Sequence, residues 1–157
     1  MSDDREPEVL PEGRPPRDPA DTLRAALVVY ALVNLAFGVP ILLVPTGFFG
    51  AVGVDVETAT RLGGWRWVGA ILVAWAVSAL LVVARPYGRA YFVTVGSLQM
   101  TAAAVAYTYS WWAGEGLGAP WFQALVSVVF AGTALVSWWG RIRARRVLSG
   151  DVGEAPG

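Results

Sequence analysis

Side chains able to do chemistry are few, and the missing types are as informative as those present. The 157-residue chain has no His and no Cys, and all 12 basic residues are Arg. Without Cys there are no disulfides, zinc thiolates, iron–sulfur ligands or redox thiols. Without His there is no imidazole base and no Ser-His-Asp triad, and without Lys no Schiff base or Ser-Lys dyad. At the outer face of the expected membrane body, Tyr107, Tyr109, Glu115 and Arg66 are the plausible acid–base groups, and no spacing among them is diagnostic of an enzyme. No catalytic residue, metal ligand or cofactor is expected. The glycines between positions 47 and 64 follow neither nucleotide-binding fingerprint. The cluster Arg141, Arg143, Arg145 and Arg146 is too short to argue for nucleic acid, whereas membrane topology and contact with anionic lipid account for it.

The polar residues that could bind something lie inside long apolar runs. Asn34 and Gln99 are amides near the middle of two such runs, where an unpaired amide would cost several kcal/mol in hydrocarbon, so both should face protein. Thr94, Ser97, Thr101 and Thr108 recur at helical spacing as a hydroxyl stripe. Gln123, Ser127, Ala131, Ala134 and Ser137 share one side of another run, and Arg66, Ala70, Ala74 and Ser78 one side of a third. Small and hydroxyl residues let helices approach closely and bond across the contact, which is the structural reading of these faces. The functional reading is a polar-lined pocket, with Arg66 at its mouth to hold an anionic headgroup or carboxylate; the structural reading of Arg66 is a side chain that snorkels to the outer headgroups or makes a structural hydrogen bond. No carboxylate lies in any apolar run, which argues against a proton relay or an acidic cation carrier.

Four runs carry these residues: about 25–44, 64–84, 90–112 and 121–139. Each is about 20 residues, or roughly 30 Å as a helix, the thickness of a bilayer's hydrocarbon core. Composition agrees: the chain is 55% hydrophobic and only 15% charged. Arginines border the first run on its N-terminal side, the link between the second and third, and the end of the fourth, which places both termini in the cytoplasm. Trp65, Trp67, Trp111, Trp112 and Trp121 then form a belt at the outer interface, and Trp138 and Trp139 mark the inner one. Pro40 predicts a kink in the first span, and residues 45–63 an irregular segment in the outer interface. Asp55 or Thr58 would cap the second span, and Glu57 would pair with Arg61.

Residues 1–21 are different in kind. They hold half of the ten prolines and seven acids against three Arg, so the zero net charge of the chain is a cancellation between an acidic tail and a basic membrane body. Such a segment reads as disordered and not as a signal peptide. The expected organisation is a tail at 1–21, a transmembrane domain at 22–146 and a short flexible tail at 147–157.

Gly38 and Pro45 close the first span, Phe48, Phe49 and Gly53 follow, and Arg61-Leu62-Gly63-Gly64 opens the second. Over residues 25–110 this layout resembles the DoxX-like group of small four-helix prokaryotic membrane proteins. The resemblance implies an up-down four-helix bundle with Arg61 as the matching arginine. A few members of that group are reported as subunits of quinone-linked oxidoreductases. Arg-only usage fits a GC-rich prokaryotic genome.

The expected fold is all-α, a bundle of four transmembrane helices with both termini cytoplasmic, in a prokaryotic plasma membrane. The leading expectation for function is a non-enzymatic structural or accessory membrane component, in contact with lipids and with a second copy or another membrane protein. The alternative is a lipid or small-molecule binding or transport protein, with a polar pocket near the outer leaflet. Arg66, Arg61, Asn34, Gln99, Thr94, Ser97, Thr101 and Gln123 are its candidate ligand-binding residues.

Overall fold

The computed structural model describes residues 19–54 and 62–149, which are helical with no strand among them. In chain order the elements are α1 (Pro19–Leu43), α2 (Pro45–Ala51), α3 (Leu62–Ala84), α4 (Ala90–Trp112), α5 (Pro120–Arg143) and α6 (Arg145–Ser149). Three of them, α1, α3 and α5, are long and apolar enough to cross a membrane. Large apolar side chains such as Leu81, Val128 and Leu135 stand about 70% exposed along them. That surface suits hydrocarbon and not water, and marks a multi-pass membrane protein. α4 has 23 residues, the same length as α3, but is richer in hydroxyls, and it is not among the three.

Element ends follow from local chemistry. α1 runs unbroken through Pro40, and its break comes at Val44. The residue before a proline is disfavoured in the helical region, and Pro45 then opens α2 as its first residue. Pro120 opens α5 in the same way. The expected irregular link is therefore partly helical, as α2. Asp55, Glu57, Thr58 and Arg61 lie outside the described residues.

Both predicted tails are shorter than expected where the structure describes them. Asp21 is already in the first turn of α1 and bonds to Arg24 at 3.1 Å, while Ala20 and Leu23 are fully buried. At the other end Val147 and Leu148, in α6, are buried in the same cluster as Ala20, Leu23 and Ala144. The apolar residues flanking the acidic and basic ends supply the burial that makes these turns fold.

α1 is the central helix: it packs against both α3 and α5, and α5 packs in turn against α4. The α1–α3 contact is made backbone to backbone. A Cβ added at Gly69 would lie 2.6 Å from the Leu42 nitrogen and 2.9 Å from the Gly38 oxygen. One added at Gly38 would meet the Leu72 Cβ at 2.9 Å and the Gly69 oxygen at 3.1 Å. The α1–α5 crossing is nearly as close, with Gly140 against the Ala26 Cβ. Small residues at membrane helix contacts raise the number of close dispersion contacts, which substitute there for a hydrophobic driving force.

α3 turns a different face inward from the one expected. Gly69, Ala76, Ala79 and Val82 are buried, whereas Arg66 and Ala74 are exposed and Ala70 and Ser78 half-buried. Both faces carry small residues, and the glycine decides because only it admits the α1 backbone. On α5 the expected face is the buried one, with Gln123, Ser127, Ala134 and Ser137 inside and Ala131 outside.

Substituting Gly69 with Ala should therefore cost about 1–3 kcal/mol of stability, since the atoms it meets are backbone. Gly132→Ala, where a Cβ meets nothing within 4 Å, should be neutral or stabilise slightly through helix propensity. Thermal unfolding of the two variants in detergent checks the contrast.

Candidate functional site

The tight α1–α3 contact leaves α3 apart from α4. The two are linked by a tilted ring contact of Trp75 with Phe92 at 5.5 Å, near the end where the described chain starts and stops. Toward the opposite end the helices enclose a cavity of about 330 Å³. Its walls are Phe37 and Ile41 of α1, Phe48 and Phe49 of α2, Trp65, Val68 and Leu72 of α3, Met100, Ala103 and Tyr107 of α4, and Phe122, Val126 and Phe130 of α5. The space is only partly enclosed, and Val68 on its wall is itself exposed.

Ring geometry keeps the space open. Phe37 meets Phe130 edge-on at 5.4 Å and Phe48 at 6.5 Å, and Phe48 meets Phe122 at 6.0 Å. Trp65 leans on Phe49 at 4.7 Å. Edge-to-face contacts are the favoured arrangement for such rings. They make a continuous wall whose members support one another and do not collapse into the middle.

The end wall is fastened by polar contacts outside the cavity. The Ala119 N–H donates to the Val52 oxygen at 2.8 Å, tying the α4–α5 link to the end of α2. Gln123 Nε2 donates to the Gly118 oxygen at 2.7 Å, and the Tyr107 hydroxyl to the Leu117 oxygen at 3.2 Å. Gly118 has φ +89°, and a Cβ there would lie 2.7 Å from the Val52 oxygen, so glycine is needed on both counts.

Gln99 is the polar group on the cavity floor, and its Oε1 accepts a hydrogen bond from the Tyr30 hydroxyl. Asn34 lies between Tyr30 and Ile41 on the same face of α1. It is 1% exposed; its Nδ2 donates to the Tyr30 backbone oxygen at 2.9 Å, and its Oδ1 has no partner. The two amides thus face protein: Gln99 bonds to a hydroxyl on a neighbouring helix, and Asn34 to its own helix.

The remaining expected site residues are scattered. Arg66 is exposed and does not line the cavity, and Arg61 lies outside the described residues. Ser97 is buried and returns its hydroxyl to the Val93 oxygen at 2.8 Å. Thr101 accepts from Trp138 Nε1 at 3.1 Å, and Thr94 accepts from Arg141 Nε at 2.7 Å. Thr94 and Thr101 thus join α4 to α5, which is their structural role, and Thr108 is exposed. Gln123 holds a loop. Among the described residues no cluster of His, Cys, Asp or Glu could hold a metal ion.

The residues that build the cavity escaped the sequence reading because they are plain aromatics. Trp65 was expected in an interfacial belt but is half-buried against Phe49, unlike Trp67 and Trp112, which are exposed. A usable signal was present: Phe37, Phe48, Phe49, Tyr107, Phe122 and Phe130 gather within a few turns of one end of the spans. Comparison with protein-family models, curated proteins and solved structures finds no match to the chain.

Tyr30→Phe removes the donor to Gln99 and leaves a half-buried amide oxygen unpaired. A loss of about 1–3 kcal/mol is expected in thermal unfolding, the cost of an orphaned buried acceptor.

Proposed function

We propose that this chain is an accessory integral membrane protein that holds a small lipophilic molecule in the aromatic cavity. In this reading α1, α3, α4 and α5 all span the bilayer, in up-down order, with both termini cytoplasmic. α4 is supported as a fourth span by its 23 residues and by hydroxyls that bond back to their own helix, as Thr94, Ser97 and Thr101 do at 2.7–2.8 Å. The arginines at 24, 85, 89, 141, 143, 145 and 146 support the orientation, and the membrane is then the plasma membrane of a prokaryote. Such an architecture is also what the resemblance to the DoxX-like group implies.

The cavity carries the functional reading. At about 330 Å³ it lies at the lower end of ligand-pocket volumes. Left empty, an apolar space of that size forfeits dispersion contacts along its walls, and because it is only partly enclosed an occupant from the surrounding hydrocarbon can reach it. Water is a poor occupant, because apolar cavities lack the two to four polar partners it needs. The fitting guest is uncharged along its body, tolerates aromatic walls and enters beside Val68. The wall's titratable group is Tyr107, whose hydroxyl is already engaged, which favours binding over catalysis.

Ala103 sits on the wall, so Ala103→Phe should fill the space from inside. With the chain in nanodiscs, the uncharged fluorophore N-phenyl-1-naphthylamine should bind the unaltered protein at least about tenfold more tightly than the variant. Stability of the variant should be equal or higher. Equal binding of the probe by both proteins would sink the reading.

A further inference from the structure

A second cavity, of about 150 Å³, lies at the other end of the molecule, between the start of α4 and the α5–α6 junction. Its lining is Ala90, Arg141, Arg145, Leu148 and Ser149. Two guanidinium groups thus border one small space. Among the described residues neither has a carboxylate partner, and the acid at this end, Asp21, is taken by Arg24. Two like charges around one space raise its positive potential and draw an anion into it.

Arg141 is held in place from two sides. Its Nε donates to Thr94 Oγ1 of α4 at 2.7 Å, and its guanidinium lies 5.6 Å from the centre of the Trp138 ring. Trp138 is itself fixed by its bond to Thr101. With Nε engaged inward, the terminal amino groups of the fork are left for a ligand, and they match two oxygens of a phosphate. The chain has already given up much of the side-chain freedom that an exposed arginine would lose on binding. Arg143 is a useful contrast: it stacks on Trp139 at 5.3 Å, is exposed, and does not line this cavity.

We infer that Arg141 and Arg145 form a phosphate-binding site, with Thr94 as the positioning residue that aims the Arg141 fork. If both termini are cytoplasmic, the site faces the inner-leaflet headgroups, and the phosphate is that of an anionic phospholipid. A general attraction between basic residues and acidic membranes needs only charge. This site needs geometry, and the difference is measurable.

The full chain in non-ionic detergent is titrated with phosphatidylglycerol or phosphatidylcholine, and bound lipid is counted by native mass spectrometry. The expected result is a preference for phosphatidylglycerol that Arg141→Lys reduces about tenfold although charge is kept, since a bidentate fork is lost. Thr94→Val should reduce it similarly, and Arg143→Lys should leave it unchanged. If Thr94→Val does not fold, Arg141→Lys against Arg143→Lys decides alone. Displacement of the lipid by inorganic phosphate would show that the phosphate suffices, and failure to displace it would assign the whole headgroup. Either result supports the site. Wild-type preference in a folded Arg141→Lys variant, or an equal loss in Arg143→Lys, would overturn it. Probe binding in the aromatic cavity is expected to be unaffected throughout, so the two assignments fail separately.

Discussion

The backbone contact between α1 and α3 at Gly38 and Gly69 is the constraint on which the rest of the structure depends. With the Gly69 Cβ position only 2.6 Å from a main-chain nitrogen, α3 has no freedom to move along or away from α1 without losing that contact. α1 also carries α5, through Gly140, and α5 carries α4. α3 and α4 are thus positioned by different partners. Nothing in that chain of contacts forces them together at the Trp65–Tyr107 end, and the space between them is the aromatic cavity.

The two ends of the molecule use their polar groups differently. At the cavity end, hydrogen bonds from Ala119, Gln123 and Tyr107 satisfy backbone carbonyls around the cavity's end wall. At the other end, Thr94 and Thr101 receive bonds from the side chains of Arg141 and Trp138. A hydroxyl inside a helix already satisfies its own proton by bonding back one turn, as Thr94 does to the Ala90 oxygen. Its lone pair stays free to accept from a neighbour. That is how a hydroxyl on α4 can orient an arginine of α5.

The positions of the long helices were legible in the sequence because roughly 20 apolar residues in a row have few other uses. Runs expected at 64–84 and 90–112 are found at Leu62–Ala84 and Ala90–Trp112. Inward faces were legible only in part. In water, apolar periodicity points to the core, but in lipid apolar residues point both ways. Leu81 is 68% exposed while Ala79, two residues earlier, is fully buried. Small residues then carry the signal, and they gave the α5 face but offered two choices on α3. Arg66 lies on the face that α3 turns outward, where it can snorkel to the headgroups. The walls of the pocket are mainly aromatic and aliphatic, and among the described residues of the polar group expected to line it only Gln99 does.

A structure determined in lipid nanodiscs tests the central claim most directly. The account predicts Gly38 and Gly69 in backbone contact, α3 apart from α4 beside Val68, and non-protein density between Phe37, Trp65 and Tyr107. Closure of α3 onto α4, with those rings packed against one another and no density between them, would contradict it.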